Sequence, residues 1–355
     1  MSSPAAQIAL GMTLALVAAI VGFLIYVIRK YTPIIGRIFE EKPMFLPLRV
    51  NPLEEGEEAR FLTRDGFELV GTYLEARTAR RSGVLVYCHE YLSNRWSALP
   101  YLDQFRDQGF DLFSFDFRNH GQSSVDPAYH PAQWVTDREL TDLDAALAYV
   151  RSRPDADPAG VGLFGVSRGG GTALCVASED PRVWGLMTDG AFPTRGTMLP
   201  YILRWADLYV GTGSFWKCVP LPFFDFLGWI ALIRTQKKLG CRYVNVERAA
   251  RRISPRPWLA IHGAKDNYIS VDIARKLFDR AGDPKEFWVV EGAKHNRCRE
   301  KDPVAYFERL SSFVRRFAPR SSQPSEVESL ATTALLPVSL HELPAQTDLG
   351  LTVPG

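Results

Sequence analysis

A chain of 355 residues is long for one small domain and ordinary for one large α/β domain with appendages. Hydrophobic residues at 46% and charged residues at 23% suit a globular protein with a sizeable core. A formal net charge of +2 gives no reason to invoke nucleic acid. The five cysteines (Cys88, Cys175, Cys218, Cys241, Cys298) are odd in number and lack C-x-x-C spacing, so neither a disulfide framework nor a zinc site is indicated.

Residues 5–28 form a nearly unbroken apolar run, interrupted by Gln7 and Thr13. At about 1.5 Å rise per residue such a helix crosses a ~30 Å hydrocarbon core. A buried core helix and a cleaved signal peptide pass the same test. No Lys or Arg precedes the run, however, and it exits through Tyr26-Val27-Ile28-Arg29-Lys30-Tyr31, which suits a retained anchor better than a cleavage site. Arg29, Lys30 and Arg37 all follow the run, so the positive-inside rule puts the downstream domain in the cytoplasm as a single-pass membrane protein.

Residues 31–58, with Pro33, Pro43, Pro47 and Pro52, read as a juxtamembrane linker. Two strand-like runs over 59–76 flank Arg64-Asp65-Gly66, a hairpin signal. Residues 83–88 read as a buried strand ending at His89-Glu90-Tyr91, followed by a helical pattern near 98–108 and a strand over 111–117. Residues 137–153 carry Leu140, Leu143, Ala146, Leu147 and Val150 at the helix period. Strands alternating with helices predict a mostly parallel sheet covered on both faces.

That rhythm breaks over about 193–255, an aromatic stretch holding Tyr201, Trp205, Tyr209, Phe215, Trp216, Phe223, Phe224, Phe226 and Trp229. It is expected as an inserted cap over the strand ends, its aromatics either lining a site or packing the insertion's own core. The alternation then resumes to residue 317. Residues 318–355, rich in Ser, Pro, Thr and Glu without periodicity, are expected to be a disordered tail.

The stretch that organises the chain is Gly165-Val166-Ser167-Arg168-Gly169, between an apolar strand and a buried helix pattern. A serine on so sharp a turn needs small neighbours, and the helix N-terminus behind it favours developing negative charge. An idle serine on a Gly-rich turn fits the pentapeptide equally well. Gly263-Ala264-Lys265-Asp266 and Gly292-Ala293-Lys294-His295 follow at the ends of two later strands, where α/β sheets keep their chemistry. Ser, then Asp, then His is the order expected for an elbow-type hydrolase. In it His295 takes the serine proton and Asp266 holds the imidazole. His89 and His120 precede the elbow and read as loop scaffolding.

These motifs, with Asp116-Phe117-Arg118-Asn119-His120-Gly121-Gln122-Ser123, resemble the α/β-hydrolase superfamily over residues 59–317. The chain looks most like its serine-hydrolase branch of monoacylglycerol-lipase-like and serine-aminopeptidase-like enzymes, including membrane-anchored members. The resemblance implies an α/β-hydrolase fold, a triad of Ser167, Asp266 and His295, and an oxyanion hole from the backbone N–H groups of Tyr91 and Arg168. No metal-ligand set or nucleotide fingerprint appears in the sequence, so no cofactor and no metal are expected. The chain departs from the family where His-Gly is replaced by His89-Glu90. Glu90 is expected to pair with Arg118 or Arg168 and brace the loop; the other possibility is that it faces the hole. The function expected is hydrolysis of carboxylic esters, lipid-derived ones included, at a membrane. A peptidase or amidase with the same triad and a non-catalytic membrane-tethered scaffold are the alternatives.

Overall fold

The computed structural model describes residues 3–40, 47–48, 50–209 and 219–319. From residue 320 onward the expected tail lies outside the described residues, as do Phe215, Trp216 and Cys218 in the cap.

Apolar residues alternate along the inner strands so that a strand such as β3 serves two cores. The strands are β1 (Glu57–Leu62), β2 (Glu68–Leu74), β3 (Gly83–Cys88), β4 (Phe110–Phe115), β5 (Val161–Val166), β6 (Val183–Asp189), β7 (Trp258–Gly263) and β8 (Lys285–Val290). They form one sheet in the order β1-β2-β4-β3-β5-β6-β7-β8, parallel from β4 to β8 with β1 and β2 antiparallel at one edge. The hairpin expected around Arg64-Asp65-Gly66 is the β1–β2 connection, with Gly66 at φ +89°.

The helices are α1 (Pro4–Glu40), α2 (Leu99–Leu102), α3 (Asp137–Ser152), α4 (Arg168–Ala177), α5 (Thr194–Tyr209), α6 (Leu221–Leu239), α7 (Val246–Ala250), α8 (Val271–Phe278), α9 (Cys298–Lys301) and α10 (Pro303–Phe317). In β3, Val84, Val86 and Cys88 join α3, α4 and α8 in one core, through Leu143, Leu174 and Leu277. Leu85 and Tyr87 face the other core, with Leu102 of α2 and Leu310 and Phe313 of α10. Period-two alternation in a strand covered on both faces has this consequence.

A third apolar cluster lies outside the sheet and joins α1 to the cap: Val27, Ile35, Ile38 and Phe39 pack with Met198 and Ile202 of α5 and Phe224 and Leu227 of α6. This corrects the expected boundaries at the N-terminus. The apolar helix does not stop at residue 28, and the first third of the expected linker is not a linker: α1 runs on through Pro33 to Glu40. Its exposed apolar part ends at Tyr26, and from Val27 onward the same helix buries a stripe on the cap. Burial of that stripe holds the helix together past the proline, which in a solvated linker would have ended it.

Candidate active site

The elbow is built by backbone that approaches backbone. A Cβ on Gly165 would lie 2.5 Å from the Gly169 carbonyl oxygen, and one on Gly169 would lie 2.2 Å from that of Cys88. The glycines of the pentapeptide therefore let β5 turn directly into α4 and let α4 press on the end of β3. Ser167 takes the turn at φ +52°, ψ −116°, a conformation costing a residue with a Cβ on the order of 1–3 kcal/mol. Its N–H donates to the Asp189 carbonyl at 2.7 Å, which pins the turn to the end of β6.

Two further strand ends supply the partners. A Cβ on Gly263 would meet the carbonyl oxygens of Ala293 and Lys294 at 2.6 and 2.8 Å, so glycine there lets the loops after β7 and β8 touch. Across that contact Asp266 Oδ2 accepts from His295 Nδ1 at 2.6 Å, and His295 Nε2 stands 3.0 Å from Ser167 Oγ. Asp266 Oδ1 accepts the N–H groups of Tyr268 and Ile269 at 2.8 and 2.9 Å, which fixes the carboxylate. Burial raises the Asp266 pKa, but the His295 hydrogen bond and charge outweigh it and leave it below the ordinary carboxylate value. An ionised Asp266 on Nδ1–H leaves Nε2 as the acceptor facing the serine hydroxyl. The three residues singled out in the sequence thus meet in one hydrogen-bonded line.

Tyr91 and Arg168 lie on opposite sides of the contact that Gly169 makes with the end of β3. The Arg168 guanidinium carbon sits 5.2 Å from the centre of the Tyr91 ring. Its side chain lies in a buried socket, donating to the Ala132 carbonyl at 3.1 Å and pairing with Glu139 at 3.3 Å. Arg168 opens α4, so its N–H belongs to the first turn, which has no carbonyl within the helix to receive it.

His89 and His120 are scaffolding, as expected. His89 Nε2 accepts the Phe117 N–H at 3.1 Å, which leaves Nδ1–H to donate to the Glu90 carbonyl at 2.7 Å. Burial lowers its pKa to about 4, so the ring is neutral at pH 7. His120 lies 2.9 Å from the Arg118 carbonyl through Nδ1, and its Nε2 accepts from Arg168 at 3.3 Å.

Glu90 pairs with neither Arg118 nor Arg168, and that expectation is corrected. Arg118 is taken by Asp65 and Asp142, and Arg168 by Glu139. Glu90 Oε1 instead accepts the backbone N–H of Leu48 at 3.1 Å, and Ser93 Oγ donates to the Leu48 carbonyl at 3.1 Å. The chain following α1 is therefore stitched to the loop that carries Tyr91. Burial, the largest influence on Glu90, raises its pKa above the ordinary value. No sequence signal links Leu48 to Glu90, because the contact joins residues 42 positions apart.

Gln133, Trp134, Phe192, Thr197, Tyr201, Tyr268 and Ile269 close over Ser167 and His295, leaving room for about one water molecule. Of the cap aromatics, Tyr201 reaches this pocket and Phe224 is in the cap's own core. Phe226 and Trp229 are exposed. Trp134 enters from the chain just before α3, a position with no motif to mark it.

Residues 83–224 match a family model described as the alpha/beta hydrolase fold. The chain is 23% identical over 264 residues to the uncharacterised protein YfhR of Escherichia coli K12, covering 73% of this chain and 80% of that one. It is 32% identical over 128 residues to the thiohydrolase aneE of Aspergillus aculeatus, 36% of this chain and 38% of that one. An esterase of Pyrococcus furiosus superposes with a TM-score of 0.57 at 21% identity, over 79% of this chain and all of the esterase chain. Sheet order, elbow and these matches together give the chain the α/β-hydrolase fold.

Proposed function

We propose that the chain is a membrane-anchored serine hydrolase of carboxylic esters, lipid-derived acyl esters among them, with its catalytic domain in the cytoplasm. The observation that carries this reading is the unbroken line from Asp266 through His295 to a serine held at positive φ. Ser167 Oγ attacks the ester carbonyl while His295 Nε2 takes its proton, and Asp266 stabilises the imidazolium that forms. The tetrahedral oxyanion is received by the N–H groups of Tyr91 and Arg168, with the α4 dipole behind it. His295 then protonates the leaving alcohol, and a water deprotonated by His295 releases the acid from Ser167. The apolar helix α1 and the aromatic pocket wall support the membrane and acyl-chain parts of the reading.

The same steps serve a thioester, with a thiol leaving in place of the alcohol. The likeness to a thiohydrolase over about a third of the chain favours that as the second reading.

The test is fluorophosphonate labelling and hydrolysis of short p-nitrophenyl esters by the full-length protein in detergent. Ser167→Ala should abolish labelling and lower kcat by ~10³-fold or more, with the thermal transition close to wild type. Wild-type hydrolysis surviving in a contaminant-free Ser167→Ala preparation would overturn the assignment, and absent labelling of the wild type would favour the scaffold.

A further inference from the structure

Helix α6 lies alongside α1 and runs in the same direction. Thr32 accepts from Arg234, a Cβ on Gly36 would lie 3.3 Å from Thr235 Oγ1, and Glu40 accepts from Lys238 at 2.6 Å. Both series ascend together. Followed back toward the N-termini at equal rise per residue, this pairing sets Trp229 level with Arg29, Phe226 level with Tyr26, and Leu221 deeper still. Val27 and Ile28 share an apolar cluster with Phe223, Phe224 and Leu227, as that alignment requires.

Those levels matter because α1 changes character there. From Val27 onward it is packed on the cap, whereas Pro4 to Tyr26 is an exposed apolar rod of about 34 Å, the thickness of a bilayer core. Beside the end of that rod α6 turns outward a face that its own fold leaves uncovered: Leu221, Phe226 and Trp229 are 54%, 45% and 48% exposed, and the last two rings are stacked. Tyr26, Arg29, Lys30 and Tyr31 surround the same level on α1, the aromatic and basic residues that sit at lipid headgroups.

We propose that the N-terminal half of α6 is a second membrane contact, with Leu221, Phe226 and Trp229 seated in the headgroup region of the leaflet that α1 leaves. The occupant is the lipid surface itself. Asp225, exposed on the same face, holds the contact to headgroup depth and out of the hydrocarbon interior. The pocket wall is tied to α1: Trp134 donates to the Ile38 carbonyl at 3.3 Å, and its ring centre lies 5.1 Å from that of Phe39. The cover over Ser167 is therefore fixed at a set height above the lipid, suited to a substrate that arrives from the bilayer.

This rests on the membrane-anchor reading, and the experiment separates the two. The full-length chain, with Cys218→Ser, is reconstituted into phosphatidylcholine–phosphatidylglycerol vesicles. An environment-sensitive fluorophore is attached at Phe226→Cys in one sample and at Ile20→Cys, within the exposed rod, in another. Among the described residues the native cysteines are buried. The Phe226 probe should shift to the blue and lose about half its emission to a spin label at the headgroups, and less to one at the chain ends. The Ile20 probe should show the opposite depth preference. An Ile20 probe quenched by chain-end labels beside an unquenched Phe226 probe would overturn the second contact and leave the anchor standing. Both probes unquenched would remove the anchor and the contact with it.

Discussion

Glu90 shows how a single residue can depart from the expected His-Gly pattern while Ser167, His295 and Asp266 keep their hydrogen-bonded line. Its carboxylate accepts from Leu48, so it braces the Tyr91 loop through the backbone of the chain after α1 and not through Arg118 or Arg168. Glu90→Gly removes the acceptor and leaves a half-buried N–H without this partner, which costs about 1 kcal/mol. The loop should loosen and ester hydrolysis should fall by ~10-fold, because donors displaced by an ångström lose most of their effect. Glu90→Gln retains an oxygen for Leu48 and should keep near wild-type kcat. The two also differ in pH dependence. Burial holds the Glu90 pKa in the fold above its value of 4.5 in the unfolded chain. The unfolded acid therefore ionises first, and the fold loses stability as pH rises from 4.5 through the folded value. Denaturant titrations at pH 4 and pH 7 should show that loss in the wild type and a smaller one in Glu90→Gln. A loss of equal size in both proteins would remove Glu90 as its source.

At the scale of elements, local pattern was readable and long-range docking was not. The β5 strand, the elbow and α4 follow from an apolar run, Gly165 and Gly169 and a helical period, and α3 from the period of Leu140, Leu143, Ala146, Leu147 and Val150. Ser167, Asp266 and His295 were legible because their strand-end positions and chain order are one-dimensional facts. The helix expected near 98–108 comes out as one α turn, Leu99–Leu102, flanked by 3-10 turns. Leu102 leaves helical geometry at φ −124°, ψ −12°, with no side chain capping the turn. The extent of α1 was hidden because Pro33 reads locally as a break and only the cap stripe overrides it. That stripe carries a prediction. Phe39 is fully buried between Trp134 and Tyr243, with both ring centres 5.1 Å away. Phe39→Ala should cost about 3–5 kcal/mol. Because Trp134 lines the pocket, KM for long-chain esters should rise more than KM for acetate esters. An unchanged thermal transition in detergent would mean that α1 and the cap are not one packed unit.

For the whole molecule, the continuity of α1 gives the proposed membrane anchor a mechanical sidedness. A flexible linker after residue 28 would have left the folded body free to lie anywhere near the membrane. Instead the helix that carries Arg29, Lys30 and Arg37 is itself part of the cap packing, so the body must lie on whichever side those cations occupy. Arg29, Lys30 and Arg37 all lie on the side of the body, and moving three cations across against the positive-inside bias is the costly orientation. The catalytic line should therefore open on the cytoplasm. A reporter fused after Gly355 should survive protease added to intact cells and be digested only after lysis. A second reporter fused before Met1 should show the reverse, which guards against a protease-resistant tag. Digestion of the Gly355 fusion in unlysed cells would invert the topology. With it would go the leaflet assigned to Leu221, Phe226 and Trp229, since α1 and α6 run side by side and cannot be reoriented separately.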